Sequence, residues 1–177
     1  MASALDPRCF RSLVSSGSRQ VDPQLSRGYE NPVSKVGLAD YRALAQFRHE
    51  IRRFLAFSEA AARALGIEPQ QHQALLAVKG LPEGVEPTIG ALAERLCLQH
   101  HTVVALVNKL EEHGWAERKR GSSDRRQVLI MLTPRGSELL AELSAMHSQQ
   151  LGAVGSAMVS ALDLIVSARA QESAKER

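Results

Sequence analysis

One stretch limits what this chain can fold into more than any other: TIGALAERLCLQHHTVVALVNKLEEHGWAERKRGSSDRRQVLIMLT, residues 88–133. Ile89, Leu92, Ala93 and Leu96 recur at helical spacing behind Thr88, whose hydroxyl can take a free backbone N–H at a helix start. Val103, Leu106, Val107 and Leu110 make a second apolar face, predicting a helix over 99–113 that Gly114 ends. Only Cys97-Leu98 separates the two helices, and so short a turn makes them cross steeply, as in a helix-turn-helix. After Gly114 the period changes. Residues 115–118 and 128–132 read as two β-strands, the second apolar on both faces and therefore expected to be sandwiched. Gly121-Ser122-Ser123 is turn chemistry between them. The pattern predicts a helix-turn-helix followed by a hairpin wing, an arrangement suited to DNA.

Charge supports that expectation locally. Residues 115–126 hold five cations (Arg118, Lys119, Arg120, Arg125 and Arg126) against Glu117 and Asp124, a net of +3 that equals the formal charge of all 177 residues. A charge run by itself is as well explained by a solvated loop. Placed directly behind a helix-turn-helix, it lies where phosphates would be.

The quoted segment, extended to Gly136, resembles the core of the multiple-antibiotic-resistance regulator (MarR) family. The resemblance rests on Leu92-Ala93, on Thr102-Val103 and on Leu106-Val107-Asn108-Lys109-Leu110-Glu111. Gly114, the Asp124-x-Arg126 wing motif and Leu132-Thr133-Pro134-Arg135-Gly136 complete it. With flanking helices it covers about residues 38–165. Val104 and Ala105 stand where family members often carry Arg or Thr, and His101 where they carry a small residue. The resemblance implies a mainly α fold with a small β-hairpin wing, a winged helix-turn-helix with N- and C-terminal dimerisation helices. It also implies a homodimeric regulator, usually a repressor, that binds a palindromic operator on double-stranded DNA. A small, often aromatic or phenolic effector would release it.

Roles follow from that geometry. The second helix would enter the major groove by its N-terminal end, presenting Gln99, His100, His101 and Thr102 to base edges. Asn108 and Lys109 lie two turns on, closer to phosphates or packing partners. Arg125 or Arg126 would reach the minor groove, with Asp124 orienting Arg126 as the family motif implies and Ser123 in the turn beside them. Arg118, Lys119 and Arg120 would supply sequence-blind affinity by counterion release. Phe47, Phe54 and His72 are candidates for the effector pocket, although core packing suits the two phenylalanines better.

The rest of the chain frames this core. Residues 1–37 mix Ser, Gly, Pro and Arg without periodicity, and read as a flexible or disordered tail or as an early start codon, with a basic arm on DNA as the alternative. Residues 38–168 read as one domain: a long helix at 38–66, a second at 68–79, the core at 88–133, and two C-terminal helices, 134–151 and 153–168, separated at Gly152 and Gly155. A stripe from Leu38 to Leu65 at 3.6 spacing and the apolar residues of the last helices ask for a partner. Residues 169–177 are charged and expected to fray. No apolar run near the ~20 residues of a membrane span is expected, nor a secretory leader. Two cysteines, far apart, fit a reducing cytoplasm, with Cys97 as a small buried residue and Cys9 in the tail. His100-His101 is not chelating spacing, so neither metal nor cofactor is implied, and no catalytic motif appears. The competing reading is a winged-helix module that binds protein.

Overall fold

The computed structural model describes residues 36–121 and 127–175, and the side chains among them as far as Ser167. The described elements are α1 (Leu38–Ala64), α2 (Pro69–Lys79), α3 (Ile89–Leu96), α4 (His100–Glu112), β1 (Ala116–Arg120), β2 (Val128–Leu132) and α5 (Pro134–Lys175). Mainly α with one hairpin is the class expected. The proposed tail up to residue 35 and Cys9 within it lie outside the described residues, as do Ser123, Asp124, Arg125 and Arg126.

The described chain divides into two compact units, residues 59–145 and, separately, residues 36–58 with 146–175, so α1 and α5 each contribute to both.

The first unit holds the winged helix. Its centre is aliphatic: Leu75 from α2, Leu92 from α3, Val103, Val107 and Leu110 from α4, Ile130 from β2 and Leu143 from α5 are all fully buried. Each such side chain, moved out of water, contributes about 1.5–3 kcal/mol. Local signals place the helix ends. Gln71 turns back to accept the Glu68 backbone N–H at 3.0 Å, closing the start of α2, with Pro69 at its first position. Thr88 Oγ1 accepts from the Ala91 N–H at 3.2 Å and starts α3. Cys97 stops α3 in the left-handed region at φ 54°. It is half-exposed rather than buried, and it is not a free thiol. Gly114, at φ 70°, ends α4 as the sequence implies.

The hairpin is antiparallel, from Ala116 opposite Leu132 to Arg120 opposite Val128. It departs from expectation twice. β1 runs two residues further, so Lys119 and Arg120 stand on the strand and not in the tip. β2 is not sandwiched: Ile130 is fully buried, but Val128 and Met131 are exposed. A two-stranded ribbon has one face to lay on the domain, and the other meets solvent. The Ile130 N–H also donates to the Pro87 carbonyl at 2.8 Å, tying the strand to the entry of α3.

Thr133 couples the end of the wing to the start of α5. Its hydroxyl donates to the Gly114 carbonyl at 2.7 Å and accepts the Gly136 N–H at 3.0 Å, while its own N–H donates to the Trp115 carbonyl at 3.1 Å. One hydroxyl therefore caps α5 and pins the turn that closes α4. Thr133→Ala should lower stability by about 1 kcal/mol, since it removes the helix cap together with the hydroxyl's bond to Gly114. Urea unfolding measures this, and an unchanged midpoint would contradict the double role.

The second unit contains residues 38–58 of α1 and 146–175 of α5. Helix α5 passes Gly152 and Gly155 without a break, against the two helices expected. A mid-helix glycine costs about 1 kcal/mol, which the surrounding Leu, Ala and Met can carry. The helix also continues to Lys175, into the segment expected to fray. Nor does the expected absence of a long apolar run hold. By length and composition Pro134–Ser167 is sufficient to cross a membrane, and little of it is buried within one chain.

Candidate nucleic-acid interface

Burial on α4 decides which residues can meet a ligand. Val103, Leu106, Val107 and Leu110 face the core. His100, His101, Ala105, Asn108 and Lys109 are exposed, with Gln99, Thr102 and Val104 half-buried among them. His101, Ala105 and Asn108 follow one another at helical spacing, so they share the outer face. Gln99 occupies the N-cap position without using its side chain as a cap. Its amide is therefore not consumed by the helix start. The expected set Gln99, His100, His101 and Thr102 does sit together at the amino end of α4. The same face also carries Val104 and Ala105, which in the sequence stand only as departures from the family pattern. Their methyl groups suit contact with the C5-methyl of thymine rather than hydrogen bonding.

The cations of β1 are less free than their count implies. The sequence makes Arg118 a phosphate contact. Its guanidinium instead forms an ion pair with Glu111 of α4 and donates to Asn108 Oδ1 at 2.7 Å, and its backbone N–H donates to the other Glu111 oxygen at 3.0 Å. Lys119 lies 2.8 Å from Glu117 on the same strand; both side chains are about half exposed, and such pairs are worth little. Lys119 can therefore exchange its carboxylate for a phosphate at small cost. Arg120 is exposed at the far end of β1. The wing assignments Ser123, Asp124, Arg125 and Arg126 fall outside the described residues.

Glu111 is a residue that sequence reasoning misses. It lies just past the outward-facing Asn108–Lys109 pair, and only the hairpin's return across α4 makes it a partner of Arg118. His113 and Trp115 escape as a pair too: their rings stack 4.6 Å apart at 16°, and Arg135 donates to the His113 carbonyl at 3.2 Å. These interactions fix the angle at which the wing leaves α4.

The three residues offered for an effector pocket fall in two different units. His72 is buried in α2 within the first unit. Phe47 and Phe54 belong to the second and are half-buried there. Phe54 meets the His147 ring edge-to-face at 5.8 Å, as does Phe57 at 5.7 Å, and His147 Nε2 lies 2.7 Å from Ser58 Oγ. Pairings between residues 89 positions apart leave no trace in local periodicity.

Known proteins share both the pattern and the shape. Residues 65–127 match the MarR family model. An HTH-type transcriptional regulator of Bacillus subtilis, YcgE, is 36% identical over 89 residues, a match that takes in 50% of this chain and 56% of the relative's length. Among solved structures, CouR from Rhodococcus jostii RHA1, crystallised with p-coumaroyl-CoA, is 26% identical with a TM-score of 0.51, over 64% of this chain and 83% of that one. The MarR family regulator AbsC from Streptomyces coelicolor has a TM-score of 0.57 at 17% identity, over 80% and 95% of the two chains, and shares the fold. Matching motifs, the buried and exposed faces of α4 and these likenesses agree: the winged helix-turn-helix of this chain is similar to those of MarR family regulators.

Proposed function

We propose that the protein is a homodimeric, DNA-binding transcriptional regulator, most simply a repressor, acting in the cytoplasm on a pseudo-palindromic operator and released by a small aromatic or phenolic effector. The observation that carries the DNA reading is the exposed face of α4. A helix with a fully buried aliphatic side presents two imidazoles, an amide and two small apolar groups at its amino end, with a basic strand beside it. Imidazole and amide groups donate to or accept from base edges, and small apolar groups meet thymine methyls.

A dimer is supported by what a single chain leaves uncovered. Leu38, Tyr41 and Leu44 on α1, and Val159, Leu162 and Val166 on α5, are all exposed. Apolar stripes of this extent mark an interface. Two-fold pairing places half-sites about one helical turn, ~34 Å, apart. For the effector, the support is the cluster of Phe54, Phe57 and His147 rings, together with the phenolic thioester held by CouR, a protein 26% identical to this one.

The wing supplies the test. Arg125→Ala with Arg126→Ala should weaken binding at all salt concentrations and reduce the slope of log affinity against log salt by about 0.9 for each phosphate no longer neutralised. Fluorescence anisotropy on the selected operator reads both quantities. An unchanged affinity and slope would leave the wing without a role on DNA and favour a protein-binding module.

A further inference from the structure

Arg118 sits where simple charge counting makes it a phosphate ligand, yet its side chain is engaged inward. One Glu111 oxygen receives the Arg118 backbone N–H at 3.0 Å and the other pairs with the guanidinium, so strand β1 is held to α4 by a carboxylate that takes both groups. A second guanidinium nitrogen donates to Asn108 Oδ1 at 2.7 Å. The Arg118 and Glu111 side chains are 31% and 30% exposed, less open to solvent than the Lys119–Glu117 pair. Asn108, in contrast, is exposed on the outer face of α4.

We propose that Arg118 is a positioning residue: it fixes the Asn108 amide with its oxygen inward and its two N–H donors outward, and its own charge is neutralised within the protein. This rests on the DNA-reading function proposed above and assigns one part of it. An asparagine reads adenine by donating through the amide nitrogen and accepting through the oxygen at once. With its oxygen turned towards Arg118, the amide no longer presents oxygen and nitrogen side by side to a base edge. What is left is a donor-only group two turns along α4, whose fitting ligand is a phosphate oxygen of the DNA backbone. Arg118 thus prepares a backbone interaction without making one, and the wing strand and the recognition helix are set in register by the same side chain.

Two measurements on the full chain test this. Without DNA, the side-chain amide of Asn108 should appear by nuclear magnetic resonance as one ordered pair of signals, and become mobile in Arg118→Gln. A mobile amide in the unsubstituted protein overturns the lock, whatever the protein binds. With operator DNA, Arg118→Gln should weaken affinity about fivefold to tenfold and leave the salt slope unchanged. Asn108→Ala should weaken it similarly, and the double variant should be no worse than Asn108→Ala alone. A slope that falls by about 0.9 on Arg118→Gln, or effects of the two substitutions that simply add, would make Arg118 a phosphate ligand and overturn the proposal. Comparing thermal midpoints of the variants separates loss of folding from loss of positioning. If the unsubstituted protein selects no operator, the DNA-reading function falls, while the amide measurement still decides the lock.

Discussion

Gly136→Ala should destabilise the protein by about 3 kcal/mol, as much as many large core truncations. A Cβ built at this position overlaps the Trp115 carbonyl oxygen and comes within 2.8 Å of its carbon. Neither atom can move aside, because the same carbonyl accepts the Thr133 N–H and the Trp115 ring is stacked on His113. Inserting a methyl into a packed backbone crossing forces shifts that cost about 1–3 kcal/mol, more where the obstacle is main chain. Urea or thermal unfolding measures the effect. The expected result is a much lower midpoint, with what remains folded binding DNA weakly, since the shift moves the wing relative to α4. Gly152→Ala is the contrast: a Cβ there meets nothing within 4 Å, and alanine should gain a few tenths to about 1 kcal/mol by helix propensity. Equal effects at the two glycines would contradict this account of α5.

The second large effect is expected on assembly. Val159, Leu162 and Val166 lie at helical spacing on α5, exposed by 58%, 44% and 59% in the single chain. Leu162→Lys with Val166→Lys removes two apolar side chains from each protomer and places charge where a partner would press. At about 1.5 kcal/mol for each side chain fully buried, the cost across a two-fold interface is roughly 6 kcal/mol, more than a ten-thousandfold weakening. Sedimentation velocity at micromolar concentration should move from dimer to monomer, with far-ultraviolet circular dichroism unchanged. DNA affinity should fall by about a hundredfold or more, since each monomer then meets a single half-site. An unchanged sedimentation coefficient would show that this stripe faces no second copy.

The parts of the fold legible in the sequence are those governed by neighbours in the chain. Thr88 and Thr133 announce helix starts because a cap needs only the next three residues, and Gly114 announces an end because a left-handed residue there favours glycine. The faces of α3 and α4 follow from spacing alone. What escapes depends on groups brought together from afar. The Trp115 carbonyl against Gly136 is a backbone crossing that no periodicity records. Charge counting cannot register that Arg118 pairs with Glu111, which faces it only after the hairpin has turned back over α4. Two glycines within four residues imply a break in α5, but helix propensity is a weak term beside the Leu, Met and Ala around them. Val104 and Ala105 read as departures from a pattern; in the structure Ala105 is exposed and Val104 half-buried on the same end of α4 as the two imidazoles.

In the function proposed above, a dimer of this protein reads a palindrome through α4 and the wing. Its most direct test is selection from mixed genomic fragments over a salt series, with the retained DNA sequenced. The expected result is enrichment of one short palindrome with half-sites about one helical turn apart, bound with an affinity that falls steeply as salt rises. Weak retention with no enriched sequence, by protein shown to be folded and free of small-molecule ligand, would contradict it.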